Sequence, residues 1–451
     1  MLSILKQSNN GSSESGLPQG VELSQAFSDA TGTGEGSQQE IQTSQLGRPV
    51  LSRKTNIYNF CNHSNFQNSP YLSARGNIAT ICWDATEEGY NAYHADKYDE
   101  DKNPNVSVNV SVLLREEVAR FLTYYCKAPA RLKAENVIVQ NGCGSLFSAL
   151  ATVLCDPGEA FLIPSPFYGG ITQSVFLYGN VKLVYAHLDS KVTGTCTRPF
   201  QLTVDKLKKA LQDAQSEGIR VKGLILLNPQ NPLGDIYSLS ELHDYLEFAK
   251  RHELHVIVDE IYMLSVFDNS ATFHSVLEMD RLPDPQRTHV MWGITKDFAL
   301  SGIRFGTLYT LNKDVASAIS SLCYFHGVCG PIQYKIAQLL RDRDAVWVCH
   351  HFLPKKQASF NFVAAVSICR DHGYLRKGTF EEEAILWRRF LDNKVLLSCG
   401  KGFECSEAGW FRIIFADKMH RLQLGQYYSP LLFLPRTKQP NHSPPARYDG
   451  L

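Results

Sequence analysis

The sequence carries no excess of charge of either sign. Its 451 residues include 45 lysines and arginines and 45 aspartates and glutamates, so the formal net charge is zero. Proteins that bind nucleic acid or an anionic membrane through general electrostatics usually carry a basic excess. We therefore expect neither nucleic acid nor a membrane surface as a partner.

Long apolar runs and paired cysteines are missing as well. No run approaches the roughly 18 apolar residues of a membrane span, and the opening Met1–Lys6 is too short for a signal-peptide core. The 12 cysteines form no Cys-x-x-Cys pair, which argues against zinc. Because no secretory signal is predicted, we expect the thiols to be reduced and mostly buried. We expect a cytoplasmic protein without a metal.

The sequence does contain a long alternation of strands and helices. Continuous apolar runs separated by helical patterns indicate an α/β domain whose largely parallel sheet is covered on both faces. No Gly-x-Gly-x-x-Gly opens the first strand–turn–helix unit, so a nicotinamide enzyme is not favoured. Strands are predicted at residues 136–140, 160–163, 181–185, 223–227, 255–258, 289–292 and 305–309, and helices at 113–125, 146–154 and 239–250.

Chemically distinctive residues lie at the predicted strand ends, where such sheets bind ligands. Lys296 follows the β-rich run 288–295, and Arg304 opens the next strand-like run. Upstream, Asn228–Gly234 and Asp259–Tyr262 each close a strand. Pyridoxal phosphate needs such a set, because a lysine forms its Schiff base, an acid pairs its ring nitrogen and an arginine pairs its phosphate.

Each feature also has a purely structural explanation when taken alone. A lysine after a strand is usually a surface residue, and Gly142–Ser145 could be a plain tight turn instead of a phosphate cradle. Tyr168 could pack in the core instead of stacking on a flat ring. Asp259 could be a helix cap or an ion-pair partner, and Arg304 a surface cation. The order and spacing of the segments together favour the cofactor site.

These segments resemble the fold-type I pyridoxal-phosphate enzymes of the class I and II aminotransferase group, and within it the animal 1-aminocyclopropane-1-carboxylate synthase-like proteins. The resemblance runs from about Trp83 to Leu424. It implies a large domain with a mostly parallel sheet and a smaller α+β domain. The stretches that carry it are Leu113–Cys126, Glu159–Tyr168, Asn228–Gly234, Asp259–Phe267, Lys296–Tyr309, Leu386–Lys394 and Glu407–Phe415.

The resemblance also implies which residues contact the cofactor ring. Lys296 would form the Schiff base and shuttle protons. Asp259 would pair the pyridine nitrogen, and Tyr262 and Asn231 would hydrogen-bond the ring oxygen. Tyr168 would stack on the ring. With Lys296, the catalytic set would therefore include Tyr262 and Asp259.

The phosphate and the substrate would be held by other residues. Gly144, Ser145 and Arg304 would bind the phosphate, with Thr295 as a weaker candidate. Arg412 would bind the α-carboxylate of an amino acid, since a guanidinium suits bidentate carboxylate binding. Family members act as homodimers on small-molecule substrates, so a homodimer is expected here.

The resemblance and the composition together predict how the chain is divided. Residues 1–75 should form a disordered tail, because Gly11–Gln45 is rich in Ser, Gly, Gln and Thr. Order should begin near Trp83. Residues 76–112 should begin the small domain and 341–425 should complete it. Between them, 113–340 should form the large cofactor-binding domain, and 426–451 an irregular tail.

Several positions depart from the family pattern. Gly293 stands where the family usually has a phosphate-binding serine. Residues 103–112 replace a longer segment that lines the substrate pocket and supplies a tyrosine to the neighbouring subunit. A strand is missing between Cys369 and Gly378, and Tyr427–Pro435 replaces a terminal helix. This pattern indicates a spliced or mispredicted variant of an intact enzyme.

Two functions remain open on the sequence. The first is a pyridoxal-phosphate enzyme in which Lys296 removes the α proton of an amino acid, followed by transamination or by elimination or cyclisation. The second is a weak or inactive relative that keeps the fold and the cofactor and serves as a binding or regulatory partner. The shortened segment favours the second. The first is favoured by the intact residues Lys296, Asp259, Tyr262, Arg304 and Arg412.

Overall fold

The central sheet contains seven strands in the order β1-β7-β6-β5-β4-β2-β3. All neighbouring pairs are parallel except those of β7, which runs antiparallel to both β1 and β6. The prediction of a largely parallel sheet is thereby confirmed. The strands are β1 (Val137–Gln140), β2 (Ala160–Ser165), β3 (Lys182–His187), β4 (Val221–Leu227), β5 (His255–Asp259), β6 (Thr288–Trp292) and β7 (Gly306–Thr310).

The structure is a computed structural model. It describes residues 68–80, 111–191, 198–266, 271–344, 346, 378–393 and 395–412. The contacts divide the chain into Met1–Asn59 and Phe60–Leu451, and every described residue belongs to the second unit. The sequence predictions for residues 1–67, for most of the 103–112 segment, for the gap between Cys369 and Gly378 and for the C-terminal tail lie outside the described residues.

Helices cover both faces of the sheet. They are α1 (residues 74–80), α2 (Val112–Tyr125), α3 (Cys143–Leu154), α4 (Gly170–Gly179), α5 (Val204–Ser216), α6 (Leu239–Arg251), α7 (Ile294–Asp297), α8 (Lys313–His326), α9 (Gly330–Arg341) and α10 (Phe380–Asp392). After α10, a small two-stranded antiparallel sheet pairs β8 (Ser398–Cys399) with β9 (Phe411–Arg412). Among the described helices, none is by itself long and apolar enough to cross a membrane. Helices α8 and α9 taken together are long and apolar enough, but they are bent by 119° relative to each other.

Alternation along each buried strand divides the core between the two faces. In β4, Leu224 and Leu226 belong to one apolar cluster, whereas Ile225 and Leu227 belong to the other. Successive side chains of a strand point to opposite faces, and both faces are covered here. This explains why the strands read as continuous apolar runs instead of an alternating pattern.

The predicted strands agree with the observed ones to within two residues at each end. The predicted strand 289–292 matches β6, and the helical turn that follows it was not predicted. Two local expectations are wrong. Arg304 does not open a strand, because its backbone is left-handed (φ 57°) and β7 begins at Gly306. Order begins before Trp83, because residues 68–80 pack on α3, with the Ser73 amide donating to the Val153 carbonyl at 2.8 Å.

Two buried histidines lie side by side near the amino end of the sheet. His255 Nδ1 is 2.9 Å from His289 Nε2, and His289 Nδ1 is 2.8 Å from Thr310 Oγ1. Burial lowers the pKa of His289 to about 3, against the opposing charge of Asp284. Burial, and then His289, also lower the pKa of His255. Both imidazoles are therefore neutral at pH 7.

Acidification should destabilise the fold through this pair. The unfolded histidines titrate near pH 6.5 and take up protons that the folded pair excludes, so stability is lost as the pH falls below about 6.5. The free energy of unfolding should then fall by up to about 1.4 kcal/mol per pH unit for each histidine. Urea unfolding at several pH values measures this slope. His289→Gln keeps hydrogen-bonding groups without the titration and should flatten the slope, whereas His252→Gln, on an exposed residue, should not. Equal slopes in all three proteins would contradict the assignment.

Candidate active site

The predicted site residues meet at the carboxyl edge of the sheet. β5 ends at Asp259, β4 leads directly into Asn228, and β6 leads through Gly293 into the one-turn helix α7, which carries Lys296. Because β7 runs the opposite way, its amino end, preceded by Arg304, reaches the same edge. The topology thus brings together segments that are far apart in the sequence.

Asp259 is a buried carboxyl group, 6% exposed, at the end of a central strand. The amide of Ile261 donates to its Oδ1 at 3.1 Å. Burial raises the pKa of Asp259 to about 7, although that hydrogen bond and the charge of Lys296 act in the opposite direction. A cation placed beside this group would stabilise its ionised form, since burial without a partner disfavours charge.

A chain of polar contacts links Tyr262, Asn231 and Arg412. Asn231 Nδ2 lies 3.5 Å from the Tyr262 hydroxyl, at the long limit for a hydrogen bond. Arg412 Nη1 donates to Asn231 Oδ1 at 2.9 Å. Burial raises the pKa of Tyr262, which keeps its phenol protonated. Lys296 Nζ lies 5.7 Å from the centre of the Tyr262 ring. The structure therefore brings these four predicted residues together.

The surroundings of Lys296 lower the pKa of its amine and so raise the share of the neutral form. Burial, and then the positive charge of Arg412, lower the pKa of Lys296, whereas Asp259 and Cys143 act to raise it. The neutral form of a lysine amine is the nucleophilic one. The amine is thus suited to attack a carbonyl carbon and to accept a proton.

Arg412 is held by the small sheet. It lies in β9, its Cζ is 4.7 Å from the centre of the Phe403 ring, and its Nη2 is 3.5 Å from Ser398 Oγ. Burial lowers the pKa of Arg412. Stacking on a ring fixes the plane of the guanidinium, which suits recognition of a planar carboxylate.

Glycines allow the Arg304 guanidinium and the start of β7 to lie against the amino end of α3. The helix begins after Gly142 (φ 104°) without a side-chain cap, so its first amides have no partner within the helix. A Cβ on Gly142 would lie 2.6 Å from Arg304 Nη2, and one on Gly306 would lie 2.6 Å from the Cys143 nitrogen. The Arg304 guanidinium therefore lies against the helix terminus. A guanidinium beside helix amides is an anion-binding arrangement.

The other predicted residues lie around this edge. Gly144 and Ser145 occupy the first turn of α3, and the Ser145 hydroxyl hydrogen-bonds Asn141 Oδ1. Tyr168 follows β2 and is 50% exposed, with its ring 2.6 Å from where a Cβ on Gly170 would lie. It is therefore not a core residue. Thr295 is partly buried in α7, next to Lys296.

The sequence analysis missed the role of Cys143. A Cβ on Gly293 would lie 2.8 Å from the Phe305 carbonyl oxygen and 3.1 Å from Cys143 Sγ. The thiol and the backbone just before β7 therefore leave no room, without a shift of neighbouring atoms, for the serine that the family usually has at position 293. Packing therefore explains why position 293 is a glycine in this chain. The contact with Cys143 cannot be read from the spacing of residues in the sequence.

Two buried acids were also missed, and each directly follows a predicted site residue. Asp297 accepts hydrogen bonds from Trp292 Nε1 and Ser265 Oγ, both at 2.9 Å, and burial raises its pKa to about 7. These bonds join the lysine turn to the end of β6 and to the segment after β5. Glu260 accepts a bond of 2.7 Å from Ser275 Oγ, and burial raises its pKa to about 8. Charged residues inside an apolar segment were the available signal.

In the described part of the chain, no group of three or more histidines, cysteines, aspartates or glutamates is arranged to hold a metal ion.

Cys143 and Gly293 should be energetically coupled. Gly293→Ser alone should lower the free energy of unfolding by about 1–3 kcal/mol, because the new side chain meets the thiol and a carbonyl oxygen. Cys143→Ala removes the thiol, so the double variant should be more stable than the sum of the single effects predicts. Urea unfolding of the four proteins measures the coupling. Additive effects would show that the two positions do not compete for space.

Comparison with known proteins identifies the family. The sequence model of the family "Aminotransferase class I and II" matches residues 100–422. A protein from Bos taurus, "1-aminocyclopropane-1-carboxylate synthase-like protein 1", is 56% identical over 413 residues, covering 79% of this chain and 82% of the relative. A protein from Homo sapiens, "Probable inactive 1-aminocyclopropane-1-carboxylate synthase-like protein 2", is 50% identical over 409 residues, covering 78% and 72%.

Solved structures share the fold. The N-succinyldiaminopimelate aminotransferase from Mycobacterium tuberculosis superposes with a TM-score of 0.58 at 21% sequence identity, over 81% of this chain and 92% of that one. The α/β architecture of fold type I expected from the sequence is thereby confirmed. The family match over most of the chain, together with the identity to the synthase-like proteins, shows that the chain belongs to the class I and II aminotransferase family.

Proposed function

We propose that this protein is a pyridoxal-phosphate enzyme that acts on an α-amino acid through Lys296. The observation that carries the proposal is the placement of the Lys296 amine. The pKa of this amine is lowered by burial and by the charge of Arg412, while the charge of Asp259 acts to raise it. The amine also faces the ring of the protonated Tyr262. Amine, buried acid and carboxylate-binding guanidinium are the groups that this chemistry requires.

The residues present fit the cofactor. Pyridoxal phosphate, when bound, supplies an electron sink that acidifies the α carbon of an attached amino acid. Asp259 would pair its ring nitrogen, and a cation there would stabilise a carboxylate that burial otherwise disfavours. Tyr262 and Asn231 would bond the ring oxygen, and the exposed Tyr168 would cover the ring. Arg304 and the amino end of α3 would hold the phosphate.

The residues of the chain would divide the work on the substrate. Arg412 would bind and orient the α-carboxylate, because Asn231 and the Phe403 ring fix its guanidinium. The Lys296 amine would take the α proton and return it. Tyr262, whose pKa burial raises, would remain a hydrogen-bond donor throughout. A homodimer belongs to the proposal, since family members assemble in this way.

An alternative function is cofactor binding without turnover. The relative from Homo sapiens that is 50% identical is named as probably inactive. The alignment with the relative from Bos taurus has 413 positions, but it includes only 79% of the 451 residues of this chain, which is fewer than 413 residues. Some aligned residues of that relative therefore have no counterpart here. Loss of a substrate-pocket segment would leave the cofactor site in place and reduce turnover.

Exchange of the α proton separates the two functions. The purified protein, loaded with pyridoxal phosphate, should exchange the α hydrogen of at least one common amino acid for deuterium in heavy water, as measured by mass spectrometry. Lys296→Ala should abolish exchange because it removes the base, whereas Lys313→Ala, on an exposed residue at the start of α8, should not. Borohydride should attach the cofactor to the peptide that contains Lys296. Attachment without exchange favours the inactive alternative, and attachment to another lysine refutes the site.

Asp259 should affect the chemistry more than cofactor retention. Asp259→Asn cannot stabilise a protonated ring nitrogen, so the α carbon of the substrate should lose its proton more slowly by orders of magnitude. Cofactor should still bind through the contacts at Arg304 and α3. Exchange rates and cofactor content are measured on the same samples. Unchanged exchange would show that the ring nitrogen has another partner.

A further inference from the structure

A buried glutamate on α10 holds the segment that carries Arg412. Glu383 is 1% exposed. Its Oε1 accepts a hydrogen bond from the Lys401 amide at 2.9 Å, and its Oε2 accepts one from the Gly409 amide at 2.6 Å. One side chain therefore binds both ends of the connection between β8 and β9.

That connection forms part of the candidate active site. It contains Phe403, whose ring lies under the Arg412 guanidinium. The Phe403 carbonyl oxygen accepts a hydrogen bond from the Phe167 amide at 2.9 Å, which joins the connection to the segment after β2. The Gly400 amide donates to the Trp410 carbonyl oxygen at 2.5 Å and closes the base of the loop. The loop thus has a fixed shape, and its shape places Arg412 relative to Asn231.

A carboxylate is well matched to this position. It offers two acceptor oxygens and no donor, and here both oxygens face backbone N–H groups from opposite ends of one loop. An amide side chain of the same length would turn an NH₂ group toward one of these N–H donors. A buried donor that faces another donor loses its hydrogen bond and disturbs the backbone that carries it.

We propose that Glu383 is a positioning residue for the substrate-carboxylate site. By fixing both ends of the 400–410 loop, it determines where Phe403 and Arg412 lie and so sets the affinity for the α-carboxylate of the substrate. This inference rests on the proposed function. Glu383 touches neither the substrate nor the cofactor site directly.

The effect should appear only with ligands that carry a carboxylate. Glu383→Gln, loaded with pyridoxal phosphate, should bind L-leucine about tenfold more weakly, as expected when one buried hydrogen bond is lost. Its affinity for isoamylamine, which has the same side chain without the carboxylate, should not change. Absorbance titrations give both dissociation constants. Glu381→Gln, on the exposed face of the same helix, should behave like the wild type.

Hydrogen exchange provides a readout that does not need the cofactor. In Glu383→Gln without ligand, amides of the 400–410 loop should exchange faster than in the wild type or in Glu381→Gln, while the peptide containing Lys296 should be unchanged. If Glu383→Gln does not fold, Glu383→Asp serves in its place. Aspartate retains two acceptor oxygens on a shorter side chain. Its affinity for leucine should fall less than that of Glu383→Gln, and its affinity for isoamylamine should again not change.

The outcomes separate the inference from the function. Equal affinity of Glu383→Gln and wild type for leucine, or an equal loss for leucine and isoamylamine, would overturn the positioning role and leave the proposed function standing. Failure of the wild-type protein to bind any of the common amino acids would overturn both.

Discussion

The candidate active site is organised around a carboxyl group that is buried at the end of a central strand. Asp259 lies where β5 meets the carboxyl edge of the sheet, and burial raises its pKa to about 7. Ordinary packing would favour an apolar residue there, because a buried carboxyl group destabilises the fold unless it is paired. The neighbouring Lys296 and the phenol of Tyr262 form a polar site around it. The proposed ring nitrogen of pyridoxal phosphate would provide the cationic partner that stabilises its ionised form.

The topology of the sheet determines which residues can join this site. Parallel strands β4, β5 and β6 deliver their carboxyl ends to one edge, and the reversed strand β7 delivers its amino end to the same edge. Arg304 can therefore lie beside the amino end of α3, although the two are far apart in the sequence. Arg412 comes from outside this sheet, so its place depends on the small sheet and on the loop that Glu383 holds.

The sequence predicted those features whose causes are local or shared with a family. Buried parallel strands give continuous apolar runs, so their positions were predicted well. Lys296, Asp259 and Arg304 follow or precede such runs, and the resemblance supplied their expected roles. The helical turn at Lys296 was missed, since a β-rich run of residues does not reveal where pairing stops. The contact of Cys143 with Gly293 and the bonds of Asp297 and Glu383 were also missed. They join residues from different elements, and a single sequence has no periodicity that reports such contacts.

The most direct measurement is an absorbance titration of the purified protein with pyridoxal phosphate. If Lys296 and Asp259 form a cofactor site, a new visible band should grow until about one equivalent per chain has bound, as for a single specific site. The band should change when a bound amino acid replaces the lysine amine. A spectrum that remains the sum of free cofactor and protein, at every concentration, would contradict the account.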